Sequence, residues 1–462
     1  PSFSKNMSIE VPPCVKGHVV ALPFPTRSLI NPMINLCKFL ASTTPNEVII
    51  TVVVTEEWLG YIESYPKSHT IRVATIPDLM PSDGQMVHDV PGFVEAIATQ
   101  MRTPFEQLID KLEPPVSAIV GDANIVWPAA VANLRNIPVA LLWTMSASCF
   151  ELYRQLDILA PGPDRRLSVH LLDEQAEHIQ RISSSQLTDL RKLLHESDFR
   201  FLKNSLDSIP GLAKTDCLLL NTIQELEAER VDYLKAILPF RVYPLGPAIP
   251  FMELEPAPND DSSTNNSDPV IKWLDCQPNL SVLYISMGSF LSMSRAQMEE
   301  LASALKTSGI RFLWVCRSDT EWVKDKCGEK GAVVPWCEQL KVLCHASIAG
   351  FWSHCGWNST LEACFAGVPI LGFPLFLDQF STCRHIAENW KNGWKVDGER
   401  PEDLVTKEEI LKVVKMAMDV ENEEVKKIRQ KAKELKALFR GAMAKGGSSD
   451  MTMHAFVKDL WN

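Results

Sequence analysis

The stretch from Trp336 to Gln379 is rich in side chains that can bind a polar ligand. An indole offers a flat π-face that suits a pyrimidine ring, and a carboxylate can accept hydrogen bonds from a vicinal diol. Backbone N–H groups and the helix dipole would face an anion where Gly356-Trp357 turns into a predicted helix. The candidate residues are Trp336, Gln339, His354, Trp357, Asn358, Ser359, Glu362, Asp378 and Gln379.

Each of these residues also has an ordinary structural explanation. Trp336 or Trp357 could be a core aromatic, and His354 a core histidine with satisfied hydrogen bonds. Glu362 could be a solvated helix charge and Asp378 a helix cap. Their joint occurrence at fixed offsets within 44 residues favours a binding site over these single explanations.

The same stretch resembles the signature box of plant family 1 UDP-glycosyltransferases. The resemblance implies that Trp336 stacks on uracil, Gln339 bonds the ribose and Glu362 accepts from both ribose hydroxyls. Because a terminal glutamine in this box points to glucose, the expected donor is UDP-glucose, used as a co-substrate, with no bound cofactor and no metal. Further contacts to the donor's diphosphate and sugar are implied for His354, Trp357, Asn358, Ser359, Asp378, Gln379, Ser289 after a second strand, and Thr144.

A second segment, Pro23–Pro32, reads PFPTRSLINP and resembles the N-terminal motif of that family, whose usual form is PxPGRGHINP. The histidine of that motif is the general base, and its position is occupied here by Leu29. The flanking glycines are replaced by Thr26 and Ser28, so we expect a remodelled loop. Leu29 cannot accept a proton, and losing a general base slows a reaction roughly 10²- to 10⁴-fold.

Asp122 follows a predicted strand, and the resemblance gives it the role of orienting the imidazole. A second explanation is that Asp122 caps a helix that begins near Ile125. The sequence therefore predicts an intact donor site beside a missing catalytic base.

Three hypotheses remain open for the activity. In the first, the protein still transfers glucose with inversion, either to an acceptor that is already ionised or with Asp122, a water or another histidine as base. His88 is the one substitute we name, and it can equally be an exposed loop histidine. In the second and third, the scaffold serves a non-glycosylating reaction or binds a metabolite or nucleotide sugar without turnover. The retained donor residues favour the first hypothesis.

Short apolar runs alternate with helix-like segments along the chain, a pattern typical of a parallel sheet covered on both faces. Predicted strands at 17–24 and 47–54 flank a helix over 31–41, and the pattern restarts after 251–268. We expect an α/β protein with two facing Rossmann-like, doubly wound domains of the GT-B type. The predicted parts are an acceptor-binding domain at 1–250, a linker at 251–268, a UDP-sugar domain at 269–445, and a last helix at 446–462 that packs back on the first domain.

Composition limits the partners. The chain has 462 residues, of which 46% are hydrophobic and 22% charged, which is typical of a globular protein. A net charge of −11 argues against nucleic acid or an anionic membrane surface as the main partner. No apolar run is long enough to insert in a membrane, and the twelve cysteines contain no CxxC, so we expect reduced thiols in a cytoplasmic monomer. A small hydrophobic acceptor is expected, lined by loops around 81–93 and 181–194.

Overall fold

The computed structural model describes residues 15–63, 70–79, 90–162, 168–175, 184–196, 199–254, 268–288, 293–317, 319–396 and 404–460. These residues form two parallel sheets with their helices, and the predicted α/β fold with two Rossmann-like domains is confirmed. The limits of the domains and of the linker stay a proposal. No helix in these ranges combines the length and the apolar character needed to cross a bilayer.

The first sheet has seven parallel strands in the order β3-β2-β1-β4-β5-β6-β7. Its strands are β1 (Gly17–Leu22), β2 (Val48–Thr55), β3 (Ile71–Ile76), β4 (Ala118–Asp122), β5 (Val139–Trp143), β6 (Cys217–Leu220) and β7 (Arg241–Pro244). Its helices are α1 (Arg27–Thr43), α2 (Leu59–Glu63), α3 (Val90–Thr99), α4 (Arg102–Ile109), α5 (Pro128–Leu134), α6 (Ala147–Leu159), α7 (Val169–Gln175), α8 (Ser184–Glu196), α9 (Phe199–Ser208) and α10 (Ala228–Ile237).

Both faces of this sheet are buried, which explains why its strands are continuous apolar runs rather than alternating ones. Along β1, Val20 and Leu22 belong to one apolar core and Val19 and Ala21 to the other. Because the carboxyl ends of parallel strands meet at one edge, the residues that follow β1, β4 and β5 lie together there.

The second sheet has six parallel strands in the order β10-β9-β8-β11-β12-β13. Its strands are β8 (Val282–Ser286), β9 (Arg311–Val315), β10 (Ala332–Val334), β11 (Ile348–Ser353), β12 (Ile370–Gly372) and β13 (Gly393–Lys395). The remaining helices are α11 (Pro269–Asp275), α12 (Arg295–Ser308), α13 (Thr320–Cys327), α14 (Gln339–Leu343), α15 (Trp357–Ala366), α16 (Gln379–Arg384), α17 (Lys407–Met418), α18 (Glu423–Met443) and α19 (Ser448–Leu460).

A small apolar core joins the two halves. Ile223 and Ile249 from the first half pack with Trp357, Leu361 and Phe439 from the second. The final helix α19 returns to the first sheet, where its apolar side chains Met453, Phe456 and Leu460 join the core beneath β1 and β2. The two halves are therefore held side by side by apolar contact and by the last helix.

Two sequence-based boundaries are wrong. The first helix begins at Arg27 rather than at residue 31, so Ser28 and Leu29 lie in its first turn and not in a loop. The helix expected to begin near Ile125 begins at Pro128, and Trp127 occupies its N-cap position. Asp122 therefore does not cap that helix.

Candidate active site

A deep cleft lies between the two halves, at the carboxyl ends of both sheets, and encloses about 1490 Å³. Leu29 and Thr144 line it from the first half, and Trp336, Glu362 and Asp378 line it from the second. Open α/β sheets bind ligands at this end of their strands, so the topology itself places the cleft where a ligand is expected.

Trp336 presents its side chain to the cleft. It is 55% exposed, an unusual state for so large an aromatic residue, and it stands directly before α14. The explanation that Trp336 is a core aromatic is therefore wrong. An exposed indole beside a polar pocket can stack on a flat ring.

A short polar network lies next to Trp336. The Nε2 group of Gln339 donates to Glu362 Oε2 over 2.7 Å and to Ser359 Oγ over 2.9 Å. Tyr284, which the sequence did not single out, donates its hydroxyl to Gln339 Oε1 over 3.2 Å. Burial raises the pKa of Glu362 to about 7. Hydroxyl groups of a ligand, such as those of a ribose, would stabilise the ionised form of Glu362 by donating hydrogen bonds to it.

His354 lies between two glycines that allow its close approach. A Cβ atom at Gly288 would come within 2.5 Å of His354 Nε2, and one at Gly356 within 2.4 Å of the same atom. Gly288 also has a φ of +81°, which other residues rarely adopt. Burial lowers the pKa of His354 to about 4, so the ring is neutral at pH 7, and its Nδ1 has no hydrogen-bond partner among the described residues.

The helix α15 begins beside this histidine, with Gly356 as its N-cap, as the sequence predicted for the turn at 356–357. The first N–H groups of a helix have no intrahelical partner, so those of Trp357, Asn358 and Ser359 are available to an anion. Trp357 itself is buried, and its indole N–H donates to the carbonyl oxygen of Asn221 over 2.7 Å. Its side chain therefore serves the contact between the halves.

Asp378 and Gln379 also line the cleft, from the second half. Gln379 Oε1 accepts from the backbone N–H groups of Leu375 and Phe376, over 2.8 and 2.9 Å, which leaves the amide nitrogen as the group that can meet a ligand. Burial raises the pKa of Asp378 to about 7. Both side chains can exchange hydrogen bonds with a polyol.

Leu29 is half-buried at the base of the cleft and packs on the first core. Asp122 is fully buried, and its Oδ1 accepts from the backbone N–H and the side-chain amide of Asn124, over 2.8 and 2.9 Å. Its Oδ2 has no partner of ordinary hydrogen-bond geometry among the described residues, although the backbone N–H of Phe24 lies near enough to lower the pKa of the carboxyl. Burial raises the pKa of Asp122 to about 6, against the opposing effect of the Asn124 hydrogen bonds. An unsatisfied buried carboxylate oxygen is where an imidazole N–H would be accommodated.

Thr144 follows β5 and lines the cleft, and its buried Oγ1 has no partner in the described structure. The turn behind it is fixed by Glu227, a buried carboxylate to which the sequence analysis assigned no role in the site. Glu227 accepts from the N–H groups of Ala147 and Ser148, both over 3.0 Å, at the start of α6. The run Glu225-Leu226-Glu227, which resembles the pattern of the family, was the available sequence signal.

Asn221, at the end of β6, was also missed. Its Nδ2 donates to Asn358 Oδ1 over 3.1 Å, and its Oδ1 accepts from the N–H of Ala248 over 2.8 Å. Asn358 in turn donates to the carbonyl oxygen of Ser28 over 2.7 Å. The start of α15 is therefore tied to two segments of the first half.

Two predicted residues, His88 and Ser289, lie outside the described residues. The same holds for residues 81–89 and 181–183 of the expected acceptor loops. In the part of the chain that the structure describes, no group of three or more His, Cys, Asp or Glu side chains could hold a metal ion.

Residues 118–429 match the family described as UDP-glucoronosyl and UDP-glucosyl transferase. The chain is 43% identical over 459 residues to UDP-glycosyltransferase 87A2 of Arabidopsis thaliana, which covers 98% of this chain and 99% of the relative. It is 32% identical to 7-deoxyloganetin glucosyltransferase of Catharanthus roseus, over 96% of each chain.

Solved structures share the same architecture. Os79 from O. sativa, in complex with U2F and trichothecene, superposes with a TM-score of 0.80 at 26% identity, covering 96% of this chain and 100% of that one. UGT71G1 of Medicago truncatula, complexed with UDP-glucose, gives a TM-score of 0.79 at 25% identity over 96% and 98% of the two chains.

Proposed function

Because the chain belongs to the UDP-glucoronosyl and UDP-glucosyl transferase family and is a UDP-glycosyltransferase, we propose that it transfers glucose from UDP-glucose to a small hydrophobic acceptor with inversion at C1. One observation carries this proposal. An exposed Trp336, the Gln339–Glu362 pair and the start of α15 line a single cleft, and we assign them to the base, the ribose and the diphosphate of the donor.

The donor assignment follows from the chemistry of these groups. Trp336 stacks on uracil, Glu362 accepts from the ribose hydroxyls, and the N–H groups at the start of α15 meet the diphosphate. Asp378 and Gln379 face the sugar. The UDP-glucose complex of the Medicago relative supports this donor. A scaffold repurposed for another reaction would have no use for this set of contacts.

In the proposed reaction an acceptor oxygen attacks C1 of the glucose as the bond from C1 to the β-phosphate oxygen breaks. The bonding electron pair leaves with UDP, and the acceptor's proton, where it has one, passes to solvent or to a base. Negative charge develops on the phosphate oxygen, where the helix N-terminus and the neutral His354 can stabilise it.

The described residues on the acceptor side of the cleft include no evident base, which favours an acidic acceptor. Leu29 cannot take a proton, and Asp122, the nearest carboxyl of the family pattern, is fully buried behind the cleft. A carboxyl with no exposed surface cannot contact the acceptor directly, so we do not propose Asp122 as the base. We propose instead that the acceptor's nucleophile is ionised near neutral pH, as in an acidic phenol or a carboxylic acid.

Proton NMR of the reaction mixture tests this function. The protein is incubated with UDP-glucose and an acidic phenol, and the anomeric region is followed with time. The expected result is loss of the α-linked donor signal and growth of a β-glucoside signal with the large axial coupling. An α-linked product, or a donor that binds but is never consumed with any acidic acceptor, would refute the proposal.

A further inference from the structure

Two arginines face the cleft from opposite halves of the molecule. Arg27, the first residue of α1, stacks on the ring of Tyr61 with its guanidinium carbon 4.4 Å from the ring centre. Arg317 follows β9, and its Nη2 donates to the carbonyl oxygen of Gly288 over 2.9 Å. Both side chains line the cleft described above. Neither arginine belongs to the donor residues assigned so far.

The two guanidinium groups share the cleft, and the charge of Arg27 acts on Arg317. No carboxylate of the described residues forms an ion pair with either of them, although the chain carries a net charge of −11. The pKa of Arg317 is lowered by desolvation and by the charge of Arg27, although the residue remains exposed in the cleft. Arginine stays protonated at neutral pH, so two neighbouring cations here repel each other until an anion enters.

The position of the pair identifies the anion. Arg27 is adjacent to Ser28, whose carbonyl oxygen accepts from Asn358 in the first turn of α15. Arg317 bonds Gly288, which lies against His354 just before the same helix. Each arginine is therefore one contact away from the segment 354–358 that begins α15, where the diphosphate of the donor is assigned.

We propose that Arg27 and Arg317 form a clamp on the diphosphate of the UDP-sugar and on the departing UDP. The inference rests on the proposed function and adds two residues to it. Guanidinium groups bind phosphate with short, charge-assisted hydrogen bonds. Since negative charge grows on the β-phosphate oxygen as the bond to C1 breaks, the clamp stabilises the leaving group more than the bound donor. Such help matters most in a site without a strong base.

The clamp also joins the halves. Arg27 comes from the first sheet's half and Arg317 from the second, so an anion held by both bridges the cleft. Binding of the donor should then hold the two halves together more firmly than binding of uridine does, because uridine lacks phosphate.

Isothermal titration calorimetry with UDP and with uridine tests the clamp. The variants are Arg27→Gln, Arg317→Gln and the double variant, and Arg311→Gln is the matched control because Arg311 is exposed at the opposite end of β9. We expect each clamp substitution to weaken UDP binding roughly tenfold and to leave uridine binding within a factor of two. The double variant should also lose part of the salt dependence of UDP binding. The control substitution should change the affinity for neither ligand.

Each other outcome overturns the clamp. Equal loss of UDP and uridine affinity would indicate a structural role, and unchanged UDP affinity would exclude contact with the diphosphate. A higher KM for a carboxylate acceptor at unchanged UDP affinity would assign the pair to the acceptor. Failure of the clamp is separable from failure of the function: if the parent protein binds UDP and transfers glucose while the variants behave like it, only the clamp is refuted.

Discussion

The side-chain amide of Asn358 donates to the backbone carbonyl oxygen of Ser28 over 2.7 Å, across 330 residues of sequence. That carbonyl is free because its helical partner would be the residue four positions later, which is Pro32 and has no N–H. The start of the donor helix α15 is thus fixed against the turn that carries Leu29. Position 29 therefore keeps a defined place relative to the donor site, although a leucine side chain there cannot take a proton.

Replacing Trp336 should weaken donor binding without affecting the fold. The side chain is 55% exposed, so Trp336→Ala should leave the melting temperature of the free protein unchanged. Loss of a stacked base costs about 1 to 3 kcal/mol, so the Kd for UDP should rise by roughly one to two orders of magnitude. Trp336→Phe, which keeps an aromatic face, should recover part of the affinity. Calorimetric titration measures the Kd of both variants for UDP, and an unaltered Kd for Trp336→Ala would show that Trp336 does not bind the uracil ring.

Leu29→His should raise the rate with weakly acidic phenols and with alcohols. Asp122 Oδ2 has no partner of ordinary hydrogen-bond geometry among the described residues and can accept the N–H of an imidazole, which would orient the ring and stabilise its cation. A general base is worth roughly 10²- to 10⁴-fold, and we expect at least a tenfold rise in kcat at pH 7. Because Ser28 lies within α1, adding the family's glycines is not needed and would weaken the helix.

Two controls accompany this variant. Leu29→Asn introduces a polar side chain of similar reach without a base and should give no gain. Asp122→Asn in the Leu29→His background should cancel most of the gain while the Kd for UDP stays the same. If Leu29→His binds UDP-glucose normally and its rate remains flat, the acceptor pocket is built for a different reaction.

Asp122→Asn alone should stabilise the protein at neutral pH. The folded-state pKa of Asp122 is about 6, above the usual 3.8, because burial disfavours the carboxylate. Between these two values the folded state binds more protons than the unfolded state, so this group's contribution to the free energy of unfolding falls as pH rises through that window. The full free-energy cost of ionising the buried carboxyl, roughly 2 to 3 kcal/mol, is present above pH 6, and the asparagine variant does not bear this cost.

Urea unfolding at several pH values between 5 and 8 measures this effect. The stability difference between Asp122→Asn and the parent should grow as the pH rises from 5 to 7 and then level off. Asp110→Asn serves as a comparison, because Arg135 holds the pKa of Asp110 below its usual value of 3.8, so its contribution to stability is lost only in more acidic solution and its stability difference should stay constant from pH 5 to 8. A stability difference for Asp122→Asn that is constant with pH would show that the carboxyl is already ionised without cost.

The sequence predicted the repeating strands and the turn into α15 well because both depend on local patterns. Runs such as 48–55 consist only of valine, isoleucine and threonine, and Gly356 followed by a helix-forming segment is a local boundary signal. The start of α1 was misplaced for a local reason as well: the residue before a proline is disfavoured in a helix, so Pro32 made the preceding turn resemble a loop. The tertiary contact from Asn358 compensates the missing hydrogen bond there, and no local pattern contains that contact.

The missed site residues share this origin. Asn221, Glu227 and Tyr284 act through partners that are distant in sequence, from 27 residues between Asn221 and Ala248 to 137 between Asn221 and Asn358. Arg27 and Arg317 line a common cleft only when the two halves face each other in the folded protein. Residue type alone could not distinguish them from ordinary surface arginines.

The central claim is that this cleft transfers glucose without an imidazole base. It is tested most directly by mass spectrometry of mixtures that contain the protein, UDP-glucose and a graded panel of acceptors, from carboxylic acids and acidic phenols to aliphatic alcohols, with UDP release measured in parallel. We expect addition of one hexose to the ionised acceptors, rates with phenols that rise with pH, and poor reaction with alcohols. Rapid glucosylation of an unactivated alcohol, or bound UDP-glucose with no hexose added to any acceptor, would contradict the claim.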